Sequence, residues 1–173
     1  MEIALTAAKR TACIFHKIAS VFVDSNHRII SIGYNGPSTG DQHCNEAGCA
    51  KVHGDPETGK FHRCRGAHSE VNAIINAGDT KRLRNSTLFI TTFPCYDCMK
   101  ALNNLGVTRI VYYNEYVRIL DGTGGKGRET EDEAWELAST RGMIVEKYKP
   151  SGDKQKDLTA AEPTSATNGN KRW

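Results

Sequence analysis

The residues of this chain best suited to chemistry lie in two short segments, His68-Ser69-Glu70 and Pro94-Cys95-Tyr96-Asp97-Cys98. One imidazole and two thiolates supply three of the four ligands that tetrahedral zinc takes in proteins, which leaves one position open to water. The carboxyl group of Glu70 is not needed as a ligand, so it can move the protons of that water. The spacing therefore predicts a hydrolytic site in which His68, Cys95 and Cys98 bind zinc and Glu70 is the catalytic acid and base.

Two other kinds of site would use some of these residues. A closed structural zinc site needs a fourth protein ligand, and a redox-active C-x-x-C pair has no use for His68 or Glu70. The catalytic interpretation is favoured because both segments fall where a loop is predicted to become a helix. Helix N-termini carry partial positive charge, which stabilises the thiolates that zinc needs.

The composition is that of one globular domain. The chain has 173 residues, of which 38% are hydrophobic and 25% charged, and its formal net charge is +3. That charge is too small to indicate a nucleic-acid surface. No apolar run reaches the length of a membrane span, and the N-terminus lacks the pattern of a signal peptide. We therefore expect a cytoplasmic protein whose 6 cysteines are metal ligands or buried thiols rather than disulfides.

Helix and strand patterns alternate along the chain, which predicts a layered α/β fold with its ligands at the carboxyl ends of strands. The patterns give helices over residues 4–11, 67–77, 95–105 and 129–140, and strands over residues 18–23, 28–32, 86–91, 108–113 and 143–148. We predict a single domain over residues 1–149. Residues 150–173 hold few apolar side chains and are predicted to form a disordered tail.

A long segment between these elements, residues 34–66, shows no periodicity and is rich in cysteine and histidine. A loop of this length in a compact domain needs something to hold it. A second, structural zinc could do so, bound by Cys44, Cys49 and Cys64 with Cys13, His43 or His62 as the fourth ligand. The alternative is a set of buried thiols and solvent-facing histidines, because the spacing is not that of a standard zinc finger.

Two glycine-rich segments could approach an anion. In Asn35-Gly36-Pro37-Ser38-Thr39-Gly40, which follows a predicted strand, backbone N–H groups and the Ser38 hydroxyl could bind a phosphate. Lys17 or Arg65 could complete the charge balance of such a site. The segment Gly122–Arg128 is not a Walker loop, so a surface turn is favoured there over a phosphate cradle.

Several longer motifs agree in order and spacing with one known family. They are Gly33-Tyr34-Asn35-Gly36, His43-Cys44, Gly48-Cys49, His68-Ser69-Glu70-Val71-Asn72-Ala73-Ile74, Thr92-Phe93-Pro94-Cys95-Tyr96-Asp97-Cys98, and Val111-Tyr112-Tyr113 with Tyr116. Together they closely resemble deoxycytidylate (dCMP) deaminases of the bacterial and phage type, over roughly residues 7–118. One departure is Ser69, which stands where the family usually has alanine.

The resemblance implies the three-layer α/β/α fold of cytidine deaminases, with a central mixed sheet of about five strands. It also implies zinc-dependent hydrolysis of dCMP to dUMP, the precursor for thymidylate synthesis, with one catalytic zinc per chain. Asn35 would contact the sugar or phosphate, Asn72 the nucleotide, and Tyr116 the base. Many family members are hexamers regulated by dCTP and dTTP, so the resemblance favours a homo-oligomer with these effectors. A member encoded by a phage would lie in the host cytoplasm.

Two functions of other classes stay open. A tRNA adenosine deaminase would share the zinc motif, but no basic helix interleaved with aromatic residues is present to grip an RNA stem. A non-enzymatic zinc module would have no use for the carboxylate of Glu70. A small nucleotide is therefore the expected substrate, and nucleic acid an unexpected one.

Overall fold

The centre of the molecule is a five-stranded sheet. The computed structural model describes residues 1–52, 64–116 and 131–150. The strands in these ranges are β1 (Ala19–Val23), β2 (Ile29–Tyr34), β3 (Gly36–Pro37), β4 (Gly66–Ala67), β5 (Thr87–Thr92), β6 (Arg109–Asn114) and β7 (Ile144–Lys147). The helices are α1 (Glu2–Ala8), α2 (Cys44–Ala47), α3 (Ser69–Asn76), α4 (Tyr96–Leu105) and α5 (Asp132–Thr140), with a 3-10 helix at Thr80–Leu83.

The sheet is mixed, and its strand order is β2-β1-β5-β6-β7. β1 forms an antiparallel hairpin with β2 and also pairs antiparallel with β5. Asp24 shapes the hairpin turn by accepting hydrogen bonds from the backbone N–H groups of Asn26 and Arg28, both at 2.9 Å. β5, β6 and β7 run parallel, and α4 and α5 lie between them in the chain, as parallel pairing requires.

Helices cover both faces of this sheet, so the three-layer α/β/α fold is confirmed. Neighbouring residues of β1 show the two faces: Ser20 contacts Ser69 of α3, whereas Val21 lines a groove with Ile3 of α1. The main core lies on the α3 face and is shared with α4 and α5. Its larger members include Phe22, Leu88, Ile90, Met99 and Leu102.

Helix α3 lies so close to β2 that only glycine fits at position 33. A Cβ atom on Gly33 would lie 2.2 Å from the backbone nitrogen of Ala73 and 2.4 Å from the carbonyl oxygen of Ser69. Both atoms belong to the helix backbone, so no side chain could turn aside to make room. Gly33 therefore sets how closely the helix that follows His68 packs on the sheet.

Side chains of α3 also bond the edge strand β2. The Nδ2 group of Asn72 donates to the carbonyl of Tyr34, and that of Asn76 donates to the carbonyl of Ile32, both at 2.8 Å. The two asparagines are four residues apart and so lie on the same side of the helix. They tie α3 along the length of the strand.

Two of the three large apolar residues whose spacing predicts α3 do not lie on its buried face. Val71 is 41% exposed and Ile75 is 68% exposed, whereas Ser69, Glu70 and Ala73 are buried. The close approach to β2 accounts for this, since it turns small and polar side chains inward. The position of the helix was predicted correctly, but of its three large apolar residues only Ile74 packs against the core.

The segment 34–66 contains structure that its sequence does not signal. β3 pairs with β4 through Gly36 and Ala67, and α2 forms one helical turn at Cys44–Ala47. The remaining predicted elements are found within three residues of their expected bounds, except where residues 129–130 fall outside the described ranges. Gly122–Arg128 and residues 151–173 also lie outside them, so the domain boundary at residue 149 and the disordered tail stay predictions.

The described helices are short. The longest, α4, has 10 residues, and none within the described ranges has the length and apolar character needed to cross a bilayer.

Candidate metal centre and its cavity

Each of the three predicted zinc ligands lies at the start of a helix. His68 is the N-cap residue of α3. Cys95 is the N-cap residue of α4, and Cys98 lies in the first turn of that helix. Because α3 and α4 begin beside one cavity, two segments distant in sequence bring their ligand atoms together.

The three side chains form a group that could hold a metal ion. Nδ1 of His68 lies 3.3 Å from Sγ of Cys98 and 3.4 Å from Sγ of Cys95. All three ligand atoms lie within 4.8 Å of one another. A tetrahedral zinc with Zn–S bonds of about 2.3 Å and Zn–N bonds of about 2.0 Å would separate its N and S ligands by about 3.5 Å. The donor set and its spacing therefore fit zinc.

The protons on these side chains depend on one another in the metal-free site. A hydrogen bond with the Cys98 thiol, and a further one with His68, lower the pKa of Cys95 to about 4. The same bond to Cys95, together with burial, raises the pKa of Cys98. The hydrogen bond to Cys95 also raises the pKa of His68 to about 8. At neutral pH Cys95 is therefore a thiolate between a protonated thiol and an imidazolium.

Zinc binding at pH 7 is expected to release about two protons, one from Cys98 and one from His68, because zinc ligands must be deprotonated. Protons compete with the metal, so the apparent zinc affinity should rise with pH, by about 100-fold per unit until His68 itself is deprotonated. Competition with a chelator of known affinity at pH 6, 7 and 8 measures this slope. An affinity that does not change with pH would contradict the protonation states assigned to His68 and Cys98.

Glu70 lies beside this group without belonging to it. Glu70 is in the first turn of α3 and is 4% exposed. It lines the same cavity as His68 and Cys95. Burial raises the pKa of its carboxyl, and a hydrogen bond from its own backbone and the nearby His68 oppose that rise. A buried carboxyl with a raised pKa beside a metal site is suited to take up and return a proton.

The cavity contains two of the four predicted substrate contacts. Asn35 and Tyr116 line it, together with the metal ligands His68 and Cys95. Ser38 and Asn72 are not among the described residues that line it. Ser38 is exposed next to the lining residue Pro37, at the rim. The side chain of Asn72 is directed to β2 instead, where it bonds the Tyr34 carbonyl.

The amide of Asn35 is held by the protein on three sides. Its Oδ1 accepts hydrogen bonds from the backbone N–H of Ile18 at 2.9 Å and from Oγ1 of Thr11 at 2.8 Å. Its Nδ2 donates to the carbonyl of His16 at 2.9 Å. These bonds fix the segment before β1 against the end of β2. An amide nitrogen carries two hydrogens, so one remains for a substrate oxygen.

Two basic side chains that the sequence does not single out also line the cavity, His16 and Lys51. The His16 ring lies 6.0 Å from that of Tyr116. Burial, followed by the charges of Lys51 and His68, lowers the pKa of His16. Arg65 instead donates to the carbonyl of Gly48 at 3.1 Å, and neither it nor Lys17 is among the described lining residues. The only sequence signal for His16 is its position just before a predicted strand.

The second predicted zinc site is not assembled in the part of the chain that the structure describes. The four cysteines of that predicted site, Cys13, Cys44, Cys49 and Cys64, all line the cavity. Burial raises the pKa of Cys44, and the other three thiols add to the rise, so they lie within electrostatic range. Their ligand atoms nevertheless do not reach the mutual spacing of the His68 group. His43 is exposed and His62 lies outside the described residues, so this second zinc stays a prediction.

Glu131 is a further residue at the site that the sequence does not reveal. Its Oε2 accepts a hydrogen bond at 2.9 Å from the backbone N–H of Tyr96, the first residue of α4. A carboxylate there stabilises the positive end of the helix and helps to fix Cys95, the residue before it. Nearby, Trp135 of α5 stacks on Phe93 with ring centroids 4.5 Å apart. Both contacts join residues that are far apart in the sequence, so short sequence motifs do not reveal them.

Several curated relatives of this chain are deoxycytidylate deaminases. That of Schizosaccharomyces pombe is 37% identical over 117 residues, which are 67% of this chain and 36% of that protein. That of Saccharomyces cerevisiae is 27% identical over 148 residues, and the chain covers 43% of its length. The chain thus spans less than half of either yeast relative. The deoxycytidylate deaminase of Mycobacterium phage D29 is 33% identical over 120 residues, which are 66% of this chain and 91% of the phage protein.

Solved structures share the fold. The dCMP deaminase of cyanophage S-TIM5, crystallised with dCMP and dUMP, is 26% identical with a TM-score of 0.62, covering 85% of this chain and 92% of that chain. RibD of Acinetobacter baumannii shares the fold alone, at 19% identity and a TM-score of 0.53 over 84% of this chain and 33% of that one. The family model of the cytidine and deoxycytidylate deaminase zinc-binding region matches residues 1–114. A match over this much of the chain, around a cavity with the His68 group and Glu70, means that the chain belongs to the cytidine and deoxycytidylate deaminase family.

Proposed function

We propose that this protein hydrolyses dCMP to dUMP with one catalytic zinc ion per chain. The observation that carries the proposal is the group of His68, Cys95 and Cys98 ligand atoms within 4.8 Å of one another, with the buried carboxyl of Glu70 beside it. The similarity to deoxycytidylate deaminases that this chain nearly spans, in phages D29 and S-TIM5, supports dCMP as the substrate.

In the proposed reaction Glu70 carries both protons of the water molecule to the substrate, one after the other. A bound zinc would supply Lewis-acid activation of water at neutral pH. Glu70 takes a proton from the water as its oxygen adds to C4 of cytosine, and it gives that proton to the ring nitrogen N3. It then passes the second proton of the water to the amino group. The C4–N bond breaks, ammonia leaves, and the C4 carbonyl of uracil forms.

We assign substrate contacts by the place of each residue at the cavity. Asn35 has one amide hydrogen left for a sugar oxygen, and Tyr116 lies in the wall where the base would enter. A phosphate that projects past Pro37 would meet the exposed Ser38 hydroxyl at the rim. Asn72 would act on the nucleotide only through the β2 carbonyl that it holds, which is an indirect role.

The test is ammonia release by the purified full chain, with zinc, from dCMP, deoxycytidine, dCTP, CMP and tRNA in parallel. We expect kcat/KM for dCMP to exceed that for deoxycytidine by about 100-fold or more, because two charge-assisted hydrogen bonds at about 1.5 kcal/mol each would be lost without the phosphate. If the kcat/KM values for dCMP and deoxycytidine agree within about tenfold, the proposed phosphate site is contradicted. Turnover of tRNA alone would favour the tRNA adenosine deaminase instead.

Three further properties belong to the same proposal. A homo-oligomer, hexameric as in many relatives, and regulation by dCTP and dTTP follow from the family resemblance and can be tested by light scattering and by assays with each nucleotide added. The cytoplasmic location also stays a prediction.

Metal analysis of zinc-replete protein decides whether each chain binds one zinc ion or two. If it binds two, Cys49→Ser should lower the content towards one zinc ion per chain.

A further inference from the structure

A buried line of hydrogen bonds runs from the sheet to the carboxyl of Glu70. Oγ of Ser20, on β1, lies 2.8 Å from Oγ of Ser69, and Oγ of Ser69 donates to Oε2 of Glu70 at 3.0 Å. Ser20 is 0% exposed, Ser69 is 1% exposed and Glu70 is 4% exposed. Water therefore does not compete with these bonds.

The direction of the bonds follows from counting hydrogens. A serine hydroxyl has one hydrogen to donate and lone pairs to accept. Ser69 uses its hydrogen on the Glu70 carboxylate, so the hydroxyl of Ser20 must donate to Ser69. Each bond in such a chain polarises the next, and a hydrogen bond to a charged acceptor is stronger than one between neutral groups. Ser20 therefore strengthens the bond that Ser69 makes to Glu70.

We propose that Ser69, supported by Ser20, is a positioning residue for the proton transfers of Glu70. By donating to Oε2, the Ser69 hydroxyl adds to the hydrogen bond from the Glu70 backbone in fixing the rotation of the carboxyl group. Oε1 is then the oxygen that exchanges a proton with the water and substrate. Small errors in the placement of a catalytic group lower its rate strongly, which is why such a support affects turnover. The proposal rests on the deaminase activity proposed above.

Ser69→Ala and Ser20→Ala, singly and together, test the proposal in the zinc-loaded full chain. Ser69→Ala should lower kcat for dCMP by about tenfold with KM and zinc content unchanged, because a hydrogen bond to a charged group contributes about 1.5 kcal/mol. Ser20→Ala should lower kcat by about twofold when Ser69 is present, because a neighbouring hydrogen bond strengthens the Ser69 bond by about 10–30%, and it should have no effect on kcat when Ser69 is replaced. That dependence distinguishes a chain acting on Glu70 from two separate losses of packing.

Ser31→Ala is the matched control. Ser31 is 6% exposed on β2, and its Oγ is the one buried side-chain oxygen or nitrogen among the described residues that has no hydrogen-bond partner. Its replacement removes the same atom from the same sheet but from no bond to Glu70, so kcat should not change. The protein should become slightly more stable, since an unpaired polar group is costly to bury.

Three outcomes would overturn the proposal: a Ser69→Ala protein that keeps the kcat of the active wild type, equal fold-losses for Ser20→Ala in both backgrounds, or an equal loss for Ser31→Ala. Urea unfolding of the wild type, the two single variants and the double variant measures the coupling between Ser20 and Ser69 without any assay of activity. The two substitutions should be non-additive in their effect on the unfolding midpoint, and additive effects would exclude the Ser20–Ser69 bond. A wild type that deaminates none of the substrates would count against the proposed function, and the unfolding cycle would still decide whether the hydrogen-bonded line exists.

Discussion

Glu70→Gln is expected to leave zinc bound and to lower kcat for dCMP by at least about 100-fold. Glutamine keeps the shape of the side chain and can still accept the Ser69 hydrogen bond, but it cannot take up a proton near neutral pH. The effect should exceed that of losing a single proton transfer, because the same carboxyl serves both at the ring nitrogen and at the leaving amine. Steady-state rates and zinc content measured on one preparation separate loss of chemistry from loss of metal.

Asp97→Asn is the matched control for this substitution. Asp97 lies between the two cysteine ligands in sequence, but its side chain is 87% exposed and lies 2.7 Å from Lys100. The Asp97→Asn variant also loses a carboxylate from the motif, but one that faces solvent. Its rate should therefore stay within a few-fold of that of the wild type. A Glu70→Gln protein that retains a tenth of the wild-type rate would contradict the assignment of Glu70.

Gly33→Ala is expected to destabilise the protein by about 3 kcal/mol or more and to lower its zinc content. The added methyl group would lie 2.2 Å and 2.4 Å from backbone atoms of α3, so the helix as a whole must move away from β2. His68 is the cap of that helix and Glu70 lies in its first turn, so the metal site moves with it. Urea unfolding and metal analysis measure the two effects.

Gly36→Ala supplies the comparison three residues along the chain. A Cβ atom at Gly36 meets no described atom within 4 Å, so stability should change by less than about 1 kcal/mol. Similar unfolding midpoints for the two alanine variants would show that α3 can retreat from β2 without cost, and the close contact would then not set the position of the site.

The metal ligands were predictable because their signal is local. His68 and Glu70 share one helix start, and Cys95 and Cys98 share another, so short spacing fixes most of their geometry. The parts that were missed depend on contacts between distant segments. Glu131 reaches Tyr96 across 35 positions, and His16 lines the cavity only because Asn35 holds its segment in place.

Periodicity misled the choice of the packing face of α3 for a related reason. Val71, Ile74 and Ile75 give the helical spacing, yet only Ile74 packs against the core. The face that lies against β2 is decided by the glycine on that strand, which admits only small side chains. The second cysteine group is limited in the same way. Its spacing in the sequence shows that four thiols are available, but whether they gather at one point depends on the path of the long segment between β3 and β4.

The bonds from Asn72 and Asn76 to β2 also bear on how copies of this chain can associate. An edge strand with free carbonyl groups is a template on which a strand of another molecule can add. Here the outward carbonyls of Ile32 and Tyr34 already accept hydrogen bonds from their own chain, so a strand arriving at that edge would find those acceptors taken. Assembly through a continuous intermolecular sheet is therefore disfavoured at β2. An oligomer that uses this side of the protein is expected to be built from side-chain contacts, where geometry and charge can select the partner.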